Sequence, residues 1–405
     1  MARMQSTDIA IIGGGIMGAS IAWHLAKRNA GRVTLFERAT IAAGASGKTG
    51  ALLRRHYSNE PEALLAQRSY EVFRDWPNIV GGDCGHVPTG LIVTVPTGPG
   101  HEENLERLRR NIELQNRLGI DSRLVTADEL RDLQPFARFD DITMAAYEPT
   151  SGYVDAIAAT RSMAIAAQRA GARIVERCPV QRIGVEGERV VGVETTDGFV
   201  PAGTVICAAG PWSTRLLATA GVRAPISAWR VQIAIVQRPL ELEEPHLVYV
   251  DTVAGMFCRP WAPGRTLIGT GGGDQHAEVD PDTYEERNDP DYIPAVIAAI
   301  SRRIPAMARA SYLHGHAGLY DMTPDAHPII GGAGVEGLYI AAGFSGAGFK
   351  KGPAVGQCLA ELILDGRATT VDLTPFRLER FDSDDWRRPW SDSEYIFTSD
   401  FGHGL

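Results

Sequence analysis

The chain has 405 residues, a formal net charge of −9, 44% hydrophobic residues and 22% charged ones. That balance describes a soluble globule large enough for two compact domains, or for one intricately divided domain. The acidic charge and the lack of any Lys/Arg block argue against nucleic acid and anionic membrane as partners.

The first element is an apolar run, Asp8–Ile12, of strand length. It meets three glycines, Gly13, Gly15 and Gly18, in the spacing G-x-G-x-x-G, and continues as Ala19–Lys27 with helical periodicity. A second apolar run, Val33–Phe36, ends at Glu37, roughly twenty residues on. Gly13 permits the tight turn, Gly15 lets backbone approach a pyrophosphate, and Gly18 lets helix pack on strand. The helix start then offers unpaired N–H groups and a positive dipole end to phosphate, and Glu37 can accept ribose hydroxyls. The pattern predicts a dinucleotide site.

Residues 41–50 are small and predict a loop, either lying flat against a ligand with Ser46, Lys48 and Thr49 in reach of phosphate, or simply at the surface. Helices are predicted from Pro61 to Trp76, over 101–118, after the capping box Thr126–Glu129, and over Ala156–Ala170. Strands are predicted at Gly90–Val95, Met144–Tyr147 and Arg173–Glu176, and an antiparallel ribbon over 180–200 turns at Asp197-Gly198. A buried strand, Thr204–Gly210, opens into a helix. Residues 225–275 alternate as antiparallel sheet, followed by helical stretches near 281–288 and 292–302 and a last sheet strand around 310–320. The strand–glycine–helix pattern then recurs, from Leu338–Gly343 through Gly346 and Gly348 to a helix ending near Leu364. The glycines at 269–273 and 332–337 lack a helix directly after them, so no second nucleotide domain is expected, and electrons come from a substrate and not from NAD(P)H.

The five cysteines include no C-x-x-C pair and the histidines no metal-ligand spacing. Reduced thiols, a cytoplasmic protein and no metal are expected. No apolar run precedes the first strand as a signal peptide, and none reaches bilayer length.

With both ends read, the chain resembles the D-amino-acid oxidase superfamily of flavoproteins, in its sarcosine oxidase and glycine oxidase branch. The marks are Gly13–Gly18 with Glu37, Gly44–Lys48, Leu52-Leu-Arg54-x-x-Tyr57, Val205–Gly210, Met322–Gly331 and Ala341–Lys350. The pattern is most similar to the flavin-bearing beta subunit of multi-subunit sarcosine oxidases. The resemblance covers about residues 7–368. It implies an α/β fold, α+β in the second domain: a discontinuous Rossmann-like FAD-binding domain interrupted by a substrate domain on a large, mostly antiparallel sheet. The FAD domain is expected over 1–80, 150–218 and 318–380, the substrate domain over 81–149 and 219–317, and a peripheral tail over 381–405.

Carried over residue by residue, the resemblance places Gly13, Gly15, Ile16, Met17 and Gly18 at the pyrophosphate, and Glu37 with Arg38 at the adenosine ribose. Ala45, Ser46, Lys48 and Thr49 line the cofactor loop. The backbone of Val180 meets the adenine, and Ala209, Gly210 and Trp212 complete the cradle. Gly318, Gly343, Gly346, Gly348, Phe349 and Lys350 follow the flavin ring. Arg54 and Lys350 match two cations that hold a substrate carboxylate, with Tyr320 near it. Phe257 replaces a tyrosine, and Arg259 adds a charge toward the pocket. Gly318 stands where monomeric sarcosine oxidases carry the cysteine bonded to flavin, which implies non-covalent FAD. Leu267 occupies the site of a lysine associated with oxygen activation, and Gly271 that of an active-site histidine, which leaves the electron acceptor open. The implied function is FAD-dependent amine oxidation of an amino acid or N-substituted amino acid, with hydride passing to flavin N5 and the imine hydrolysed. The alternative is a flavin-binding regulatory or electron-transfer subunit. A partner subunit or protein electron acceptor fits either reading.

Overall fold

The computed structural model describes residues 6–242, 244–270 and 278–383. Gly271, the rest of the glycine run through Gly273, and the C-terminal residues 384–405 lie outside that description.

A six-stranded sheet begins with β1 (Ile9–Ile12) and β2 (Val33–Phe36), each buried at every position as both-faces-covered parallel strands are. It is completed by β6 (Arg173–Val175), β10 (Thr204–Cys207), β16 (Ile329–Gly332) and β17 (Leu338–Ala342), in the order β16-β17-β10-β1-β2-β6. All neighbours pair in parallel except the edge strand β16. Helices α1 (Ile16–Lys27), α6 (Ala156–Arg169) and α9 (Gly352–Asp365) cover one face and share one apolar core with β1 and β2.

An eight-stranded sheet is built from β3 (Leu91–Thr94), β4 (Arg123–Thr126), β5 (Met144–Glu148), β11 (Ser227–Gln237), β12 (Val248–Asp251), β13 (Met256–Ala262), β14 (Arg265–Thr270) and β15 (Ser311–Met322). Its order is β15-β11-β14-β13-β12-β3-β5-β4, antiparallel throughout except for the β12–β3 pair. Its core packs α8 (Tyr292–Arg303) against the sheet. A three-stranded ribbon, β7 (Val180–Glu186), β8 (Arg189–Thr195) and β9 (Gly198–Pro201), turns where Asp197-Gly198 predicted. The remaining helices are α2 (Glu60–Arg74), α3 (Trp76–Ile79), α4 (Glu102–Arg117), α5 (Ala127–Leu133, opened by the Thr126–Glu129 capping box) and α7 (Ser213–Ala218).

One expected helix does not form. Residues 281–288 contain no helix, because Arg230 of β11 takes the carbonyls of Glu285 and Arg287 at 2.8 and 2.7 Å and holds the segment open against the sheet. No helix among the described residues is long and apolar enough to cross a membrane.

Candidate active site

The first glycine loop is shaped by contacts that no side chain could share. Gly13 has φ +110°, and a Cβ there would lie 2.4 Å from the Ala208 carbonyl oxygen. A Cβ on Gly18 would fall 1.9 Å from the Gly13 carbonyl oxygen, so α1 can sit this close to its own turn only with glycine. The Glu37 carboxylate, buried at the end of β2, accepts the Gly14 N–H through Oε2 and the Ala39 N–H through Oε1, each at 2.7 Å. Ser46 Oγ accepts the Ile16 N–H at 2.9 Å, within a short 3₁₀ turn over Ala45–Lys48. Gly15 caps α1 without a side-chain hydrogen bond, and the first turn carries no acidic residue. A helix start bare of acid, approached by glycine backbone, fits the pyrophosphate of a dinucleotide.

Around this loop stand the other cradle residues. Arg38 donates to Asp282 at 2.7 Å and stacks its guanidinium 5.0 Å from the Trp212 ring. Trp212 Nε1–H donates to the same carboxylate at 2.8 Å, beside Ala209 and Gly210 at the end of β10. Lys48 is held by Tyr284 and Glu286, each at 2.6 Å, while Thr49 Oγ1 accepts the Ala51 N–H at 3.2 Å. The backbone before Val180 is tied to the Glu37 strand end, since Cys178 N–H donates to the Glu37 carbonyl at 2.9 Å.

The second glycine block docks on the first. A Cβ on Gly348 would sit 3.5 Å from Met17 Cε, and one on Gly352 2.6 Å from Ile16, so the entry to α9 lies against the start of α1. On its other side the loop meets β15. Gly346 faces the Tyr320 ring, whose nearest atom would be 2.6 Å from a Cβ there, and Gly343 N–H donates to the buried Asp321 carboxylate at 2.7 Å. Burial raises that carboxyl to about 6, with the amide donors opposing. Gly318, mid-strand in β15, is close to Lys48: a Cβ would stand 3.1 Å from Lys48 Cβ.

Arg54 and Lys350, far apart in sequence, converge on Tyr57. The buried Arg54 guanidinium lies 4.4 Å from the Tyr57 ring centroid, with Nη1 donating to the His56 carbonyl at 2.9 Å. The Lys350 ammonium lies 6.0 Å from the same centroid. Burial, with the Arg54 and Lys351 charges, lowers the Lys350 ammonium to about 8, although Tyr57 opposes the shift. Burial pushes the Tyr320 hydroxyl up against the charge of Arg54, which places that ring in the same cluster.

Phe257 and Leu267 form an apolar wall with Ile233 and Ile235. The wall backs on Gly50, where a Cβ would meet the Phe257 ring at 2.9 Å. Arg259 is buried nearby, donating Nε–H to the Gly50 carbonyl at 2.5 Å and Nη1–H to the Pro260 carbonyl at 2.8 Å, with the Tyr153 and Trp261 rings 4.4 and 4.7 Å away. Burial lowers its guanidinium to about 10. Its donors thus serve the loop at Gly50 and its own strand.

Sequence reasoning gave no role to three neighbours. Lys351, fully buried at the start of α9, pairs with Glu62 of α2 and lies 4.2 Å from the Tyr57 ring centroid. Glu62 also meets His327 Nδ1 at 2.9 Å. Burial resists ionisation of Glu62, yet the charges of Lys351 and His327 outweigh it and hold the carboxyl well below the usual range. The doublet Lys350-Lys351 was the available signal: adjacent lysines at a helix entry cannot both face water when the helix is this apolar.

Comparison with known proteins gives the family of the chain. The chain is 27% identical over 386 residues to sarcosine oxidase subunit beta of an Arthrobacter species, covering 94% of this chain and 92% of that one. It is 28% identical to glycine oxidase of Geobacillus kaustophilus, covering 92% of this chain and 97% of that one. Among solved structures, L-proline dehydrogenase from P. horikoshii superimposes with a TM-score of 0.84 at 30% identity, covering 93% and 98%. The chain spans only 44% of the length of mouse mitochondrial sarcosine dehydrogenase, which it also matches. The model of the DAO family, described as FAD dependent oxidoreductase, matches residues 8–362, and the chain belongs to that family.

Proposed function

We propose that this FAD-dependent oxidoreductase oxidises the C–N bond of an amino acid or N-substituted amino acid. The observation that carries the reading is the convergence of Arg54 and Lys350 on Tyr57, beside the glycine loop at 343–348. A carboxylate suits a guanidinium fork beside a compact ammonium. The two glycine loops, through Gly13, Gly15 and Gly18 and through Gly343, Gly346 and Gly348, would hold FAD, which when bound would supply the hydride acceptor for oxidation of the carbon that bears nitrogen. The chain's own residues bind and orient. Arg54 and Lys350 grip the carboxylate end, while Tyr320 and the Phe257–Leu267 wall exclude water from the reacting end. The six-stranded sheet then carries the cofactor, with residues 1–80, 150–218 and 318–380 as its domain, and the eight-stranded sheet brings Tyr320 and Phe257 to the substrate.

FAD is held without a covalent bond in this reading. Gly318 offers no thiolate, and a side chain there would press on Lys48. Acid precipitation should leave flavin in the supernatant; colour kept in the washed pellet contradicts it. Similarity to a beta subunit also supports a partner subunit, which co-purification from the native cell checks against the mass of the chain alone.

Anaerobic mixing with a panel of amino acids, N-methyl amino acids and simple amines tests the function. Bleaching of the flavin band by carboxylate-bearing amines is expected. Bleaching by simple amines alone would overturn the substrate class.

A further inference from the structure

Residues 278–289, between β14 and α8, leave the eight-stranded sheet and return to it. At the outgoing end Val279 N–H donates to the Ala228 carbonyl of β11 at 2.9 Å. At the returning end Ala317 N–H of β15 donates to the Glu286 carbonyl at 2.7 Å, and Arg230 pairs with Asp289 at 2.6 Å. Between these anchors the chain turns at Asp280, whose Oδ1 accepts the Asp282 N–H at 2.8 Å. The tip of the turn reaches across to the six-stranded sheet. The Asp282 carboxylate accepts Arg38 at 2.7 Å, Trp212 Nε1–H at 2.8 Å and Arg215 of α7 at 2.8 Å, and Arg215 also meets Asp280 at 2.8 Å. Arg38 follows β2 and Trp212 follows β10, while β1 runs between those strands in the same direction. Neighbouring strands lie about 4.8 Å apart, so the partners of Asp282 stand on either side of the turn at Gly13–Gly18. Open α/β sheets bind their ligands in the crevice outside these carboxyl ends. The bridge Arg38–Asp282–Trp212 therefore crosses the dinucleotide crevice.

We propose that residues 280–286 form a latch over this crevice, closed by Asp282, which must open for FAD to enter or leave. The inference rests on FAD occupying the first glycine loop, and not on the identity of the substrate. The two ends of the segment are fixed by backbone hydrogen bonds and by the shielded Arg230–Asp289 pair, whose arginine is 14% exposed. The tip is held differently. The Asp282 side chain is 38% exposed, and those of Arg38 and Arg215 are each 51% exposed. Ion pairs that water reaches are individually weak, so the tip can release while its anchors hold. Lys48, which meets Tyr284 and Glu286 at 2.6 Å, seats the returning limb on the loop that carries Ser46. A closure that covers the empty and the filled crevice alike slows entry and exit together and leaves affinity unchanged.

Exchange of bound FAD for radiolabelled FAD measures exit from the holoenzyme. Dilution of the holoenzyme, with released FAD read by its fluorescence, gives Kd, and the exit rate divided by Kd gives the entry rate. Asp282→Ala should raise exit about three- to tenfold and entry by the same factor, with Kd unchanged. Arg215→Ala leaves Arg38 and Trp212 in place and should raise both rates by a smaller factor. Exit raised alone, with Kd weakened in proportion, would make Asp282 an ordinary cofactor contact and overturn the latch. Exit unchanged in Asp282→Ala overturns it as well. Salt supplies a second reading, because ions screen exposed pairs. Raising NaCl from about 0.1 to about 1 M should speed exit from wild type, and the acceleration should be smaller in Asp282→Ala. Equal acceleration in the two proteins contradicts the latch. A protein purified without FAD would overturn the cofactor site and this inference together.

Discussion

The Glu37 carboxylate holds the Gly14 amide at 2.7 Å, joining the end of the second strand to the middle of the first glycine loop. Its other oxygen takes Ala39 at the same distance. An acid at this place therefore sets the shape of the turn. Glu37→Ala leaves two amides without acceptors, which should lower stability by about 2–4 kcal/mol. FAD affinity should fall at least tenfold. Urea unfolding of the FAD-free protein and a flavin fluorescence titration measure the two effects. Full FAD affinity in this variant would show that the turn keeps its shape without the carboxylate.

Glu62 is the counter-charge of the fully buried Lys351. Glu62→Gln should cost about 3–5 kcal/mol, since it strands a buried ammonium. The sign of the pH effect follows from the lowered carboxyl. Its contribution is complete above the ordinary value of 4.5 and is lost as pH falls below it toward the folded value. Wild type should therefore lose stability on acidification below about pH 4.5 more steeply than Glu62→Gln. Parallel melting curves of the two proteins with pH would contradict this.

In the proposed carboxylate grip, Lys350 sets an alkaline limit. Its ammonium is lowered by burial to about 8, so its charge is present below that pH and lost above it. The Tyr57 phenol ionises near the same pH and adds negative charge, so the two titrate as a coupled pair in one direction. Apparent affinity for carboxylate substrates should fall above about pH 8, and Lys350→Met should flatten the fall. A profile level to pH 10 in wild type would remove Lys350 from the substrate site.

Legibility followed the range of the interactions. The turn at Gly13–Gly18 is local, and strand, glycines, helix and Glu37 all lie within one βαβ unit that the spacing describes. The ribbon turn at Asp197-Gly198 and the Thr126 capping box are likewise written within a few residues. The segment 281–288 was misread as helix because Glu285, Glu286 and Arg287 favour helix, whereas the deciding contact comes from Arg230 on another strand. Arg54 and Lys350 were visible only through family resemblance, for nothing in local periodicity brings them together. Tyr57 and the Lys351–Glu62–His327 cluster escaped assignment because burial of charged residues has no local signature.

The central claim is that Arg54 and Lys350 grip a substrate carboxylate. Rapid-mixing anaerobic reduction of the flavin by the best amino acid, in wild type, Arg54→Ala and Lys350→Ala, tests it most directly. Each variant should keep FAD and lose on the order of 2–4 kcal/mol of transition-state binding, roughly a 30- to 1000-fold fall in the ratio of reduction rate to substrate Kd. A simple amine should be poor with wild type and lose little further in the variants. Reduction of both variants by the amino acid at the wild-type rate and affinity would contradict the account.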